Sequence, residues 1–174
     1  ATASVSENTT RVMDLSANEA ALWSIAPASG SLGVDGALFK IDGSSTLVFA
    51  SPPNFEQPGR SPVYSVRVLA VDPAGNASAP KDLAITVTNV NEAPVAVGSV
   101  GAQTAVVGKA FSASLSGLVV DPDSIPSGFG TLSYSLTPAL PAGLAFNSAN
   151  QTISGTPTAA AAASIYTLKA TDSG

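Results

Sequence analysis

Two seven-residue stretches, Val66-Arg67-Val68-Leu69-Ala70-Val71-Asp72 and Tyr166-Thr167-Leu168-Lys169-Ala170-Thr171-Asp172, lie 100 residues apart and match position for position. Both alternate in side-chain character and end in Ala-X-Asp. A period of two is the signature of a strand, whose successive side chains point to opposite faces. Its recurrence at a domain-sized interval reads as two tandem copies of one sandwich rather than a single 174-residue domain. The rest of the chain agrees: Val, Thr, Ser and Ala are abundant, 15 Gly and 13 Pro punctuate it, and long helical periodicity is missing.

Along the first copy, residues 11–15 and 22–25 are strand candidates. Residues 37–41 and 46–49, joined by Asp42-Gly43-Ser44-Ser45, read as a hairpin. In residues 64–70 the even positions are expected to face the core and Arg67 the water. Residues 83–88 repeat the pattern, and Pro94 stops it. The second copy offers 111–115, 132–136, a pair at 144–146 and 151–154 around a turn, and 166–172. The boundary falls near Ala93-Pro94, giving domains 1–93 and 94–174. Trp23, Phe39, Phe49, Tyr64, Phe111, Tyr134, Phe146 and Tyr166 occupy strand-like positions and are expected in the cores. Phe129, in the Gly-rich loop Ser127-Gly128-Phe129-Gly130, is the aromatic best placed for partner contact. The second copy has no counterpart of the strand at 83–88. That absence is expected to leave an open sheet edge, to be filled by further sequence or by another chain. The chain starts in mid-pattern and reads as a fragment of something longer.

Charge restricts the function. Lys and Arg total 7, scattered along the chain, against 12 acids, for a net charge of −5. Phosphate neutralisation needs clustered bases, so nucleic acid is not an expected partner. No apolar stretch is long enough to span a membrane, so no direct insertion is expected. Without Cys or His there is no disulfide framework, thiolate site or imidazole catalysis. Thr171-Asp172-Ser173-Gly174 is superficially like an aspartic-protease loop, but that chemistry needs two such carboxylates sharing a proton, and Asp72 is followed by Pro73. No spacing suggests an activated nucleophile, and no catalytic residue is assigned.

Only 11% of residues are charged, yet the acids gather in short motifs at strand ends. These are Ser6-Glu7-Asn8, Pro53-Asn54-Phe55-Glu56, Val71-Asp72, Asn89-Val90-Asn91-Glu92-Ala93-Pro94, Asp121-Pro122-Asp123 and Thr171-Asp172. Glu7, Glu56, Glu92, Asp121, Asp123 and Asp172 belong to a set that could converge on one junction. Brought together, they would repel unless a cation sat among them. Oxygen ligands without His or Cys point to a hard ion, calcium first. The motif at Asp121 is no helix-loop-helix calcium loop, since its sixth position is Pro126 and its twelfth Leu132. Each position also fits an ordinary role: a turn at Asp121-Pro122-Asp123, a plain linker at 89–94, a solvated edge charge at Glu7. The case rests on their conjunction.

At these motifs residues 1–93 resemble bacterial cadherin-like domains, through Glu7-Asn8, Leu38-Phe39-Lys40-Ile41-Asp42, Thr46-Leu47-Val48-Phe49, Pro53-Asn54-Phe55-Glu56 and the segment 89–94. The second copy resembles the dystroglycan-type cadherin-like domain. Its signature lies in Val120-Asp121-Pro122-Asp123, Leu140-Pro141-Ala142-Gly143-Leu144-Ala145-Phe146, Ile153-Ser154-Gly155-Thr156-Pro157-Thr158 and Ala170-Thr171-Asp172-Ser173-Gly174. The resemblance implies an all-β chain of two tandem Greek-key immunoglobulin/cadherin-like β-sandwiches, the second lacking its last strand, with calcium at the junction. It implies Glu7, Asn54, Glu56, Asn89, Asn91 and Glu92 as ligands from the first copy and linker, with the Val90 carbonyl as a backbone ligand. From the second copy it implies Asp121, Asp123 and Asp172. Asn54 and Asn89 stand where Asp is usual, Glu92 replaces Asp, and Ala93 replaces a linker Asn. These departures imply weaker binding or fewer ions. Asp72, with Asn18 or Glu19, would form half of a further site.

The function implied is a non-catalytic calcium-binding module of a large bacterial surface or secreted protein, extracellular, stiffening a tandem array for cell adhesion. Its partner would be a homophilic or heterophilic protein, or a polysaccharide. The alternative is a carbohydrate-binding or spacer module attached to a polysaccharide-degrading enzyme, which would need an exposed aromatic row or polar groove.

Overall fold

A computed structural model describes residues 1–43, 45–124 and 131–174. Among these residues the chain is all-β apart from two single-turn 3₁₀ segments, and it divides into two compact units, Ala1–Val90 and Asn91–Gly174.

In the first unit, β1 (Thr2–Ser6), β7 (Lys81–Thr88), β6 (Val63–Val71) and β3 (Leu22–Ile25) form one sheet in that order. A second sheet has the order β2 (Arg11–Asp14), β5 (Thr46–Phe49), β4 (Phe39–Asp42). The expected hairpin is present as the antiparallel β4–β5 pair. Period-two alternation fills the space between the sheets. In β6, Tyr64, Val66, Val68 and Ala70 are buried, and β7 contributes Leu83, Ile85 and Val87. Leu47 and Phe49 answer from β5, and Phe39, Phe49 and Tyr64 form an aromatic cluster with centroids 4.3–6.2 Å apart. Each such side chain gains roughly 1.5–3 kcal/mol from burial, set against the entropy of ordering it.

Arg67 does not extend into water as its phase suggests. Its stem lies beneath Gly33, where any Cβ would meet Arg67 Cβ at 2.9 Å, and its Nε pairs with Asp82 Oδ1 at 2.7 Å. A glycine loop thus covers the outer face of the sheet here. Strand β1 has little apolar pattern to announce it; it docks parallel to β7, with Thr2 opposite Ala84 and Ser6 opposite Thr88.

The second unit has β8 (Val95–Ala96), β9 (Phe111–Ser114), β10 (Val119–Val120), β11 (Ser133–Thr137), β12 (Leu144–Asn147), β13 (Thr152–Gly155) and β14 (Thr167–Thr171). They pair as β10-β8, β11-β14 and β12-β13-β9. The glycines of the motifs at 140–146 and 153–158 meet here for a physical reason. Gly143 and Gly155 cross so closely that a Cβ on Gly155 would collide with the Gly143 carbonyl, which accepts the Thr156 N–H at 2.9 Å. Phe129 lies outside the described residues.

Candidate metal centre

In the first unit, the parallel β1–β7 register decides what meets at one end. Because Ser6 lies opposite Thr88, the residues just past both strands emerge together: Glu7 after β1, Asn89 and Val90 after β7. The Glu7 N–H donates to the Thr88 carbonyl at 3.0 Å. Asn8 adopts φ 60°, a left-handed turn that asparagine tolerates, and its N–H reaches the Pro53 carbonyl at 3.0 Å. That bond fixes the segment containing Asn54, Phe55 and Glu56.

Glu7 is 1% exposed. Its Oε1 accepts the Val90 N–H at 2.9 Å and its Oε2 accepts the Phe55 N–H at 2.8 Å. One carboxylate therefore binds three chain segments together. It enters no ion pair among the described residues. A carboxylate offers about four lone-pair sites, so two N–H donors leave room for a cation. Both Glu56 carboxylate oxygens are shut off from solvent. The Asn89 carboxamide is buried, and neither its oxygen nor its nitrogen has a hydrogen-bond partner among the described residues. Asn54 is exposed. Val90, expected to offer its carbonyl, engages Glu7 through its N–H.

In the second unit, Asp121 and Asp123 flank Pro122 just past β10, where a 3₁₀ turn, Pro122–Ser124, folds one over the other. They are 4% and 1% exposed. The Asp123 N–H donates to Asp121 Oδ1 at 3.0 Å, and Asp123 Oδ2 accepts the Glu92 N–H at 2.6 Å. Asp121 Oδ2 and Asn91 Oδ1 are both buried without a hydrogen-bond donor among the described residues. Asp172, half-buried after β14, accepts the Gly174 N–H at 3.3 Å. Gly174 packs against the Asn91 carboxamide, where a Cβ would collide with it. Asn91, Glu92, Asp121 and Asp123 are thus tied to one end of this unit, and Asp172 comes to Asn91 through Gly174.

Away from these sets, Asp72 behaves differently. It is half-buried, and its two oxygens accept the Asn76 backbone N–H and side-chain Nδ2, each at 2.8 Å. Those two bonds, the side-chain one first, hold its carboxyl below the ordinary value of 3.8. With Asn18, Glu19 and Trp23 it lines an open pocket of mixed polar and apolar surface.

The comparisons with known proteins agree with this architecture. Residues 93–174 match the family model described as "Putative Ig domain". No curated protein sequence matches the chain. Among solved structures, the chain is similar to Drosophila N-cadherin EC1-4, with a TM-score of 0.61 and 18% identity over 99% of this chain and 44% of that one. It is also similar to human protocadherin-24 EC1-2, with a TM-score of 0.56 and 16% identity over 98% and 88%. Against a second form of that protocadherin the TM-score is again 0.56, over 90% and 73%. The chain spans 44% of the N-cadherin chain and 37% of a protocadherin gamma B2 chain carrying cadherin domains 3-6. The fold is a cadherin-like, immunoglobulin-like β-sandwich. No helix among the described residues is long and apolar enough to cross a membrane.

Proposed function

We propose that the chain is a non-catalytic, calcium-binding, adhesion-type module of a large bacterial surface or secreted protein, acting outside the cell. Its domains would be a cadherin-like sandwich over 1–93 and a dystroglycan-type sandwich over 94–174. The observation that carries the reading is a mismatch between burial and satisfaction. Among the described residues, Asp121 keeps one carboxylate oxygen in the interior with no donor, Asn91 keeps its carboxamide oxygen in the same state, and Glu7 is buried without a counter-charge. Uncompensated buried carboxylates cost several kcal/mol each, about what the desolvation of an ion demands. A hard cation that takes six to eight oxygens at roughly 2.3–2.6 Å would offset that cost.

The ligands we assign are Glu7, Asn54, Glu56, Asn89 and the Val90 carbonyl, together with Asn91, Glu92, Asp121, Asp123 and Asp172. Neutral Asn at several positions lowers the charge of the donor set, which suits the roughly 10⁻⁴–10⁻³ M affinities of extracellular modules. The similarity to cadherin structures supports an adhesive role with a protein partner. The test is calcium calorimetry on the chain and on the double variant Asp121→Ala, Asp123→Ala. Loss of the calcium heat is expected, with the unfolding reported by the single tryptophan, Trp23 in the first unit, unchanged in chelator. Undiminished affinity in the variant would show the assignment to be wrong.

A further inference from the structure

We propose that Asp42–Gly43, where β4 turns toward β5, is a site of spontaneous backbone rearrangement that converts to isoaspartate through a cyclic succinimide in the folded protein, while the fold holds the chain's second Asp-Gly step, Asp35–Gly36, inert. The sequence contains these two Asp-Gly steps and no Asn-Gly. Glycine after aspartate is the permissive arrangement, because without a Cβ its nitrogen is open to the preceding carboxyl group. The Gly43 nitrogen bonds to Asp42 Cγ and gives up its proton, and a carboxyl oxygen leaves as water. A second water then opens the ring. Attack at the γ-carbonyl restores aspartate; attack at the main-chain carbonyl leaves isoaspartate. Water leaves and water enters, so no oxidant, reductant or cofactor takes part.

The structure separates the two steps. Asp42, the last residue of β4, is exposed, and among the described residues its carboxylate enters no ion pair and accepts no hydrogen bond. Gly43 has φ 64°, its N–H has no backbone acceptor among the described residues, and a Cβ there would meet nothing within 4 Å. Asp35 is half-buried and committed on both oxygens. Its Oδ1 accepts Arg60 Nη2 and its Oδ2 accepts the Ser65 N–H, each at 2.7 Å. The Gly36 N–H donates to the Gly33 carbonyl at 3.1 Å. Ring closure at Asp35 must break all three bonds, and breaking the two to a charged acceptor alone should slow it at least about tenfold. The product would disturb the hairpin. Isoaspartate carries the chain through Cβ and Cγ, which lengthens the main chain where Asp42 pairs with Thr46. The next pair, Ile41 and Leu47, reaches the core of the first unit.

The test is to age the whole chain at neutral pH, folded and in parallel in urea, and to quantify isoaspartate at each step by peptide mapping and by methyl transfer from S-adenosylmethionine with an isoaspartyl methyltransferase. In the folded chain, conversion at Asp42 is expected to run close to its rate in urea, and at Asp35 at least about tenfold more slowly. In urea the two steps should convert alike. Asp42→Glu, which keeps the charge but closes no five-membered ring, should abolish the folded-state signal at that position. Arg60→Gln should raise conversion at Asp35; if that variant does not fold, the urea comparison still decides. Equal conversion of the two steps in the folded chain would overturn the proposal. So would protection of Asp42 on folding, or an equal difference between the steps in urea, which would mean that neighbouring residues and not the fold set the rates.

Discussion

The two units use one strand pattern and reach different interiors. Between its sheets the first buries Leu47, Phe49, Val66, Val68, Ile85 and Val87 almost completely. In the second, among the described residues, Leu115 at 8% exposure and Pro157 reach comparable burial, while Phe111, Tyr134, Phe146, Ile153 and Leu168 stay half-exposed. The acids Asp121 and Asp123, at 4% and 1% exposure, are more deeply buried than Leu115. Alternation specifies which face turns inward; how far that face is covered depends on how many strands lie beside it. β6 is flanked by β7 and β3, whereas its repeat counterpart β14 pairs, among the described residues, with β11. The first unit draws its stability from apolar packing. The second is expected to depend more on what neutralises its acids.

The largest effect expected from this contrast is in the cores. Ile85→Ala or Leu47→Ala should cost the first unit about 2–5 kcal/mol, the usual range for a large-to-small change at a fully buried site. Leu168→Ala should cost the second unit less than half of that, because its side chain is already partly in water. Chemical denaturation followed by Trp23 fluorescence and by amide exchange in the second unit separates the two. Equal losses would erase the contrast.

Next comes Glu7→Ala, which leaves the Phe55 and Val90 amides without their acceptor. An unsatisfied buried donor costs about 1–3 kcal/mol, so the first unit should lose up to twice that. Glu7→Gln, which retains one acceptor oxygen, should lose less. The comparison is read from the same denaturation curves.

A smaller change with a diagnostic sign is Asp121→Asn. In chelator it should stabilise the second unit by roughly 1 kcal/mol, since it removes a buried charge whose Oδ2 lacks a donor. In calcium it should destabilise, because a ligand charge is lost. Calcium at a hundredfold excess over its Kd should stabilise the unsubstituted chain by about 2.7 kcal/mol, so the two conditions are readily told apart by melting. A variant with the same sign in both conditions would place Asp121 outside the metal site.

The smallest effect is at Asp72. Its folded-state pKa is depressed, so the contribution of its Asn76 bonds is present above the ordinary carboxylate value and is lost as pH falls through the lower, folded one. Asn76→Ala should return the Asp72 carboxyl toward 3.8 in an NMR titration, with little change in melting.

Much of the fold was legible because period-two alternation is a local property. Residues 64–70 face inward at even positions as their phase requires, and the hairpins around 42–45 and 147–150 are where turn residues interrupt the pattern. What escaped was non-local. Strand β1, Thr-Ala-Ser-Val-Ser, is too small and polar to stand out, and its place comes from a parallel partner some 80 residues away. The cover over Arg67 comes from a glycine loop distant in sequence. The aromatics Phe111, Tyr134, Phe146 and Tyr166 share the strand phase of Phe39 and Phe49, but phase cannot report how many layers lie above a residue. At the candidate centre, the acids were visible as motifs at strand ends. The hydrogen bonds from Phe55 and Val90 to Glu7 were not, since every residue but proline carries the same backbone N–H.

The most direct measurement is calorimetric titration of the chain with calcium, after exhaustive chelation, alongside magnesium as the harder, smaller competitor. The account expects saturable heat for calcium in the range of roughly 10⁻⁴–10⁻³ M, weaker binding of magnesium, and loss of the calcium signal in Asp121→Ala, Asp123→Ala. A flat calcium titration with the folded chain would contradict it.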